Sequence, residues 1–314
     1  MRKSIYFLFT GVFLFFLAKN AFAQTVSLGI TPTIFQINAK APSDIKSTLT
    51  IINQTNQSVS VNILIRPFRA SNNNDGTVSF IDKNGITGAD PLLLNKVSIF
   101  DRNNPVSSIT LSPAEKKQLR LHITIPLDEP PSDYYFSIIF LSNGIGNDQS
   151  SISALSGGIA ANVLLSIGPQ DQTRGTIEKF STSFFKQAGP VSFRIEVNNQ
   201  SSHYIVPRGG ILISNMFNQT VGIVNLSQVN VLENSSRYIP DDKNGNTIEA
   251  IWGEKVLFGL YKATLTMALS SDGPVFQRTV YFLAVPAYVI FGVFFAVFIA
   301  LIIAERVKRR MKTG

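Results

Sequence analysis

The side chains able to do covalent or metal chemistry are few. The 314-residue chain has two histidines and no cysteine, which removes thiol nucleophiles, thiolate metal sites and a cysteine-linked lipid anchor. His122 lies in Leu119-Arg120-Leu121-His122-Ile123-Thr124-Ile125, where apolar and polar residues alternate. The period of two places it on the wet face of a strand, with Leu119, Leu121, Ile123 and Ile125 turned inward. His203 sits in the turn Ser201-Ser202-His203-Tyr204, with no acid or nucleophile beside it in sequence. One histidine in each half excludes a multi-histidine zinc site within either half. No G-x-S-x-G elbow accompanies the serines. Asp241-Asp242-Lys243-Asn244-Gly245-Asn246 lacks the ligand spacing of a calcium loop and reads as a polar turn, as does Asn72-Asn73-Asn74-Asp75-Gly76. The expectation is no catalytic residue, no cofactor and no metal, with the binding residues unknown. Of the two other conspicuous features, Trp252 reads as a core residue ahead of an exposed anchor for a partner, and Pro207-Arg208-Gly209-Gly210 as a turn before Ile211.

The elements that would carry a binding surface are strands. Ser47–Ile52 and Val59–Ile65 are β-branched runs separated by the polar Asn53–Ser58, which predicts a hairpin. Tyr134–Phe140 is more continuously apolar, as in a central strand, and Ile159–Ile167 closes the first block. Ser71–Asn104 reads as a long insertion with one short strand at Val78–Ile81. After a break at Gly168–Thr173, further strand-like runs cover Gly175–Phe185, Val191–Asn198, Gly210–Ser214, Thr220–Val224, Val229–Leu232, Leu260–Leu269 and Phe276–Phe282. Thr50-Ile51-Ile52-Asn53-Gln54-Thr55 is echoed by Ile195-Glu196-Val197-Asn198-Asn199-Gln200-Ser201, which suggests two related modules. The predicted class is all-β: two immunoglobulin-like β-sandwich domains followed by one C-terminal transmembrane helix.

The two ends predict topology. Met1-Arg2-Lys3, the apolar run Ile5–Leu17 and Ala21-Phe22-Ala23 have the form of a cleaved export signal. Tyr281 to Ala304 holds no charged residue, and Glu305, Arg306, Lys308, Arg309, Arg310 and Lys312 follow. The positive-inside rule then puts the body outside and the tail in the cytoplasm. Much of the net charge of +8 lies in these ends, so nothing favours a nucleic-acid partner. The expected order is signal 1–23, first sandwich 24–170, second sandwich 171–280, transmembrane helix 281–304 and basic tail 305–314.

Several stretches, in order, resemble the DUF916 family of bacterial cell-surface proteins, also called WxL-interacting proteins. They are Gly29-Ile30-Thr31-Pro32, Leu111–Lys117 leading into Ile123–Pro126, Asp133–Phe140, Gly157-Gly158-Ile159, Phe180, Phe193–Asn199, Val206–Gly209, Asn230–Leu232 and Gly259–Ala263. The chain departs from the family pattern over Asn143–Ser156, which is rich in Ser, Gly and Asn. The resemblance implies a non-enzymatic, membrane-anchored cell-surface binding or scaffold protein, with peptidoglycan contact through the first domain and a protein ligand on the second. Two other classes compete. A periplasmic chaperone-like protein would lend a strand edge to a client. A surface hydrolase would show two carboxylates converging in a cleft.

Overall fold

The computed structural model describes residues 27–81, 91–142, 157–243 and 247–312. The export signal, residues 143–156 and Asn244–Asn246 lie outside these. Strands dominate and form two sandwiches, each of two packed sheets in the immunoglobulin-like manner.

In the first sandwich the strands are β1 (Leu28–Thr31), β2 (Ile34–Ala39), β3 (Ser43–Asn53), β4 (Val59–Ala70), β5 (Val78–Phe80), β6 (Val97–Asp101), β7 (Asn104–Pro105), β8 (Ser108–Leu111), β9 (Lys116–Ile125), β10 (Ser132–Ser142) and β11 (Gly158–Ile167), with one helical turn α1 (Pro91–Leu94). One sheet runs β1-β3-β9-β6-β7. The other runs β2-β11-β10-β4-β5, with β8 also on β4. The period-two pattern of β9 is seen directly: Leu119, Leu121, Ile123 and Ile125 are buried, while Arg120 and Thr124 are exposed and His122 is half-buried.

Two expectations are corrected here. β3 and β4 are not a hairpin: β3 pairs with β1 and β9, and β4 with β10, β8 and β5. The polar link Asn53–Ser58 instead carries the chain across the sandwich. Both strands bury apolar residues, Leu49 and Ile51 on one side and Val59 and Val61 on the other; alternation shows that a strand has a buried face, not which strand pairs with it. The supposed insertion also contributes to the core. β6 pairs with β9, and Val97 and Ile99 are buried.

The second sandwich contains β12 (Gly175–Ser181), β13 (Phe185–Lys186), β14 (Val191–Asn199), β15 (Arg208–Asn215), β16 (Thr220–Asn225), β17 (Ser235–Tyr238), β18 (Ala250–Trp252), β19 (Gly259–Ala268) and β20 (Val275–Ala284). One sheet runs β12-β14-β17, with β18 on β14; the other runs β13-β20-β19-β15-β16. Arg208, Gly209 and Gly210 are strand residues, paired with Ala268, Met267 and Thr266, not a turn. Val229–Leu232 forms no strand, only a bridge between Val231 and Ile205. Trp252 is buried, edge-on to Tyr261 and Phe282.

The two halves bury separate main cores, one drawn from Ile30 to Ile167 and the other from Ile177 to Ala284. Their topology repeats. β1 pairs antiparallel with β3 as β12 does with β14, and β2 pairs parallel with β11 as β13 does with β20. The sequence echo falls on equivalent strand ends. Asn53 and Asn199 are both fully buried. Asn53 Nδ2 donates to the carbonyls of Gln57, Leu111 and Ser112, and Asn199 Nδ2 to those of His203, Val231 and Leu232.

After β20 only Val285 and Pro286 precede α2 (Ala287–Lys312). Tyr281–Ala284 belong to the strand, so the helix begins six residues later than expected from the apolar run. Pro286 explains the break: its ring disfavours helical geometry in the residue before it but suits the approach to a helix start. Over the described residues no helix is long and apolar enough to cross a membrane. The side chains at 289, 290, 293 and 307–312 of α2 lie outside them.

Candidate binding surface

A strand edge is the feature best suited to hold a partner. β10 pairs with the whole of β11, from Leu141↔Gly158 to Ser132↔Ile167. On its other side β2 covers only Asn162–Ile167. Among the described residues, Gly158, Ile159, Ala160 and Ala161 therefore pair with a strand on one side only. The direction of their backbone groups follows from the ladder. Asn162 N donates to Thr33 O (2.9 Å) and Gly168 N to Ala39 O (2.8 Å), so even-numbered residues face β2. The N–H and C=O of Ala160 consequently point to the open side. The residues there are uncharged, with no proline, and all but Ile159 are glycine or alanine.

Two edges of the second sandwich are blunted. The outer side of β20 presents Gln277, Arg278 and Thr279, all exposed, and a charge discourages pairing. β16 carries exposed Val221 and Ile223, but a register shift between Ile213 and Ser214 disturbs its ladder, and bulges twist an edge away from partners.

The second feature is the junction between the sandwiches, built around Asp133 on β10. Asp133 is 6% exposed. Its Oδ1 accepts from Ser166 Oγ (2.5 Å), and its Oδ2 accepts from Tyr135 Oη and from the backbone N–H of Tyr204, both at 2.8 Å. The last bond joins the two halves. Phe68, Leu164 and Tyr204 form a small apolar cluster at the same place. Burial pushes the Glu233 carboxyl up to about 7, and the nearby Asp133 adds to the shift. Burial and Asp133 also raise the Tyr135 and Tyr204 phenols.

Around this junction further bonds cross. Gln36 Nε2 donates to Asn230 Oδ1 (2.6 Å), Asn74 Nδ2 to Glu196 Oε1 (2.8 Å), and Tyr238 N to Asn74 O (2.7 Å). Beneath them lies a cavity of about 110 Å³ lined by Phe68, Leu164, Leu232 and Arg237 among others. Gly76, at φ 87°, lets the turn approach: a Cβ there would lie 2.2 Å from Arg237 Nη2. The turn Asn72–Gly76, read from sequence as plain loop, is thus an interdomain contact. No sequence signal marked its partner, because Glu196 and Tyr238 lie more than a hundred positions away.

The two histidines take no catalytic arrangement among the described residues. His122 Nε2 contacts the Asp44 carboxylate, and its ring tilts against Phe100. His203 is buried, and its carbonyl is one of the acceptors of Asn199. Asp241 is structural: its carboxylate accepts from the N–H groups of Lys243 and Ile251. No group of three or more metal-ligating side chains occurs among the described residues.

No family model matches the chain, and no curated protein matches it. Solved structures similar to it include a class 5 fimbriae chaperone, CfaA, at 12% identity and a TM-score of 0.39, with 83% of this chain and 100% of that chain covered. The E. coli chaperone DraB is 13% identical with a TM-score of 0.37, covering 81% and 99%. The CupB2 chaperone of Pseudomonas aeruginosa is 10% identical with a TM-score of 0.34, covering 80% and 98%.

Proposed function

We propose that this chain is a membrane-anchored extracytoplasmic protein that holds an extended segment of a protein partner along the open edge of β11. One observation carries the reading: Gly158–Ala161 continue a paired strand past the end of β2, with the Ala160 backbone aimed outward and no charge or proline to stop pairing. An added strand gains main-chain hydrogen bonds, while pockets beside the edge select its side chains. A chaperone-like lending of the edge and a standing surface complex use the same contact.

The composition of α2 supports the anchor. Ala287 to Ala304 carries no charged residue, a length of about 27 Å at 1.5 Å per residue, close to the ~30 Å hydrocarbon core. Tyr288, Phe291, Phe294 and Phe295 are exposed to at least 66%, and water would not tolerate so much apolar helix surface. The basic run that follows favours a cytoplasmic end.

The test is a photo-reactive amino acid at position 160 in the full chain, irradiated in intact cells. A protein adduct is expected from position 160 and not from Thr124, which is exposed on the other sheet. The Ala160→Pro variant, which removes an outward N–H that β10 does not use, should bind the partner more weakly. An adduct only to muramidase-sensitive material, or none, would sink the strand-addition reading; the former would favour the cell-wall role implied by the DUF916 resemblance.

A further inference from the structure

The second sandwich has an apolar end, and it is the end from which α2 leaves. Three separate stretches meet there. β13 brings Phe184 and Phe185, 63% and 46% exposed; the β15–β16 turn brings Met216 and Phe217, 53% and 75%; the stretch before β19 brings Val256 and Phe258, 73% and 62%.

Strand register fixes their common level. Phe185 pairs with Leu283, Gly259 with Ala284, and Asn215 with Tyr261, itself opposite Phe282. Met216 Cε packs onto Gly259, tying the turn to the start of β19. All three stretches therefore lie beside the last residues of β20, and α2 begins only at Ala287. β13 is laced to this exit: Leu283 N donates to Phe184 O (2.6 Å), and Val285 N to Lys186 O (2.9 Å).

Lys186, opposite Ala284, and Lys262, opposite Tyr281, border the same end, and Lys255 lies next to Val256 in the chain, with Glu254 as the neighbouring acid. Among the described residues none of the three lysines is in an ion pair. Exposed phenylalanines ringed by lysines suit the boundary between acyl chains and anionic headgroups.

We infer that Phe184, Phe217, Phe258 and their neighbours form a collar that sinks into the outer leaflet around the point where α2 enters it, seating the second sandwich directly on the bilayer. The inference rests on the anchored reading. The occupant is lipid because the collar is continuous with the start of the apolar helix: a sandwich linked by two residues to a membrane-crossing helix cannot hold these loops far from the headgroups. The interfacial zone reaches roughly 5–10 Å deep for amphipathic protein surfaces, enough to take in loop tips. The apolar surface continues up β16 through Val221 and Ile223.

The experiment uses the full chain in vesicles of phosphatidylcholine and phosphatidylglycerol, with and without bromine on the upper acyl carbons. Trp252, the only tryptophan, is buried and gives a constant background. An indole is added by Phe217→Trp, at an exposed turn, or by Val275→Trp at the far end of β20, where the side chain is 67% exposed. Brominated lipid should cause loss of emission from Phe217→Trp and none from Val275→Trp. Failure of the chain to enter vesicles at all would overturn the anchored reading. Entry with equal, unquenched emission from both variants would overturn the collar alone. Emission from Phe217→Trp that is insensitive to bromine yet blue-shifts with protein density would assign the face to a second copy of the chain, which also overturns it.

Discussion

Asn53 and Asn199 show how one side chain can close a strand end. Each is fully buried, and its amide donors reach three backbone carbonyls from separate stretches of chain. Asn199 Oδ1 in turn accepts from Ser201 N, as Asn53 Oδ1 does from Thr55 N. Asn199→Ala should destabilise the chain by about 1–3 kcal/mol for the orphaned polar groups together, more if they cannot reach water. Chemical denaturation measures this; a change within ~0.5 kcal/mol, as at ordinary surface sites, would show that the bonds are dispensable. The Asn-Gln-Thr and Asn-Gln-Ser echo was visible in the sequence, but its meaning was not. Polar residues between two strands read as an exposed turn, and only the fold shows that the asparagine points inward. Asp133 was hidden in the same way, as a polar residue in an otherwise apolar strand.

Strand identity was more legible than strand partnership. The alternation in β9 located its buried face because the side-chain period is two. Leu121→Asp should cost several kcal/mol, on the order of ~3–5, by placing an unpaired charge in the first core. His122→Ala should change stability by no more than about 1 kcal/mol, since its contact with Asp44 involves a carboxylate half open to water. Thermal unfolding of both variants checks the pair; equal losses would mean the assigned phase is wrong. The crossing from β3 to β4 was not legible, because a turn between sheets and a turn within one sheet have the same composition. β18, at three residues, was too short to register as a periodic run. The boundary between β20 and α2 was blurred for a different reason: strand and helix here are both apolar, and Pro286 was the only break.

The junction gives the molecule a pH dependence. In the folded chain the Glu233 carboxyl titrates near 7 instead of near 4.5, through burial first and Asp133 second. Folding therefore favours its protonated form. That contribution is complete below about 4.5, falls as pH rises, and is lost above about 7. Glu233→Gln, which cannot ionise, should match the parent chain in acid and melt at a higher temperature above pH 7. A difference in Tm that stays flat from pH 5 to 8 would remove Glu233 from the junction's energetics. The sequence announced two halves through the break after Gly168. It could not announce that Asn74, Gln36 and Asp133 bind one half to the other, since the contacts join residues remote along the chain. The short passage from β20 into α2 has a mechanical consequence. β20 is held by a ladder to β19 from Val275 to Ala284, with β13 on its final residues. On the anchored reading proposed above, a pull between a held partner and the helix would run along the strand and load those bonds in shear, all at once, instead of peeling them in turn. On that reading the second sandwich would act as a tension-bearing coupling, passing force to the helix without first coming apart.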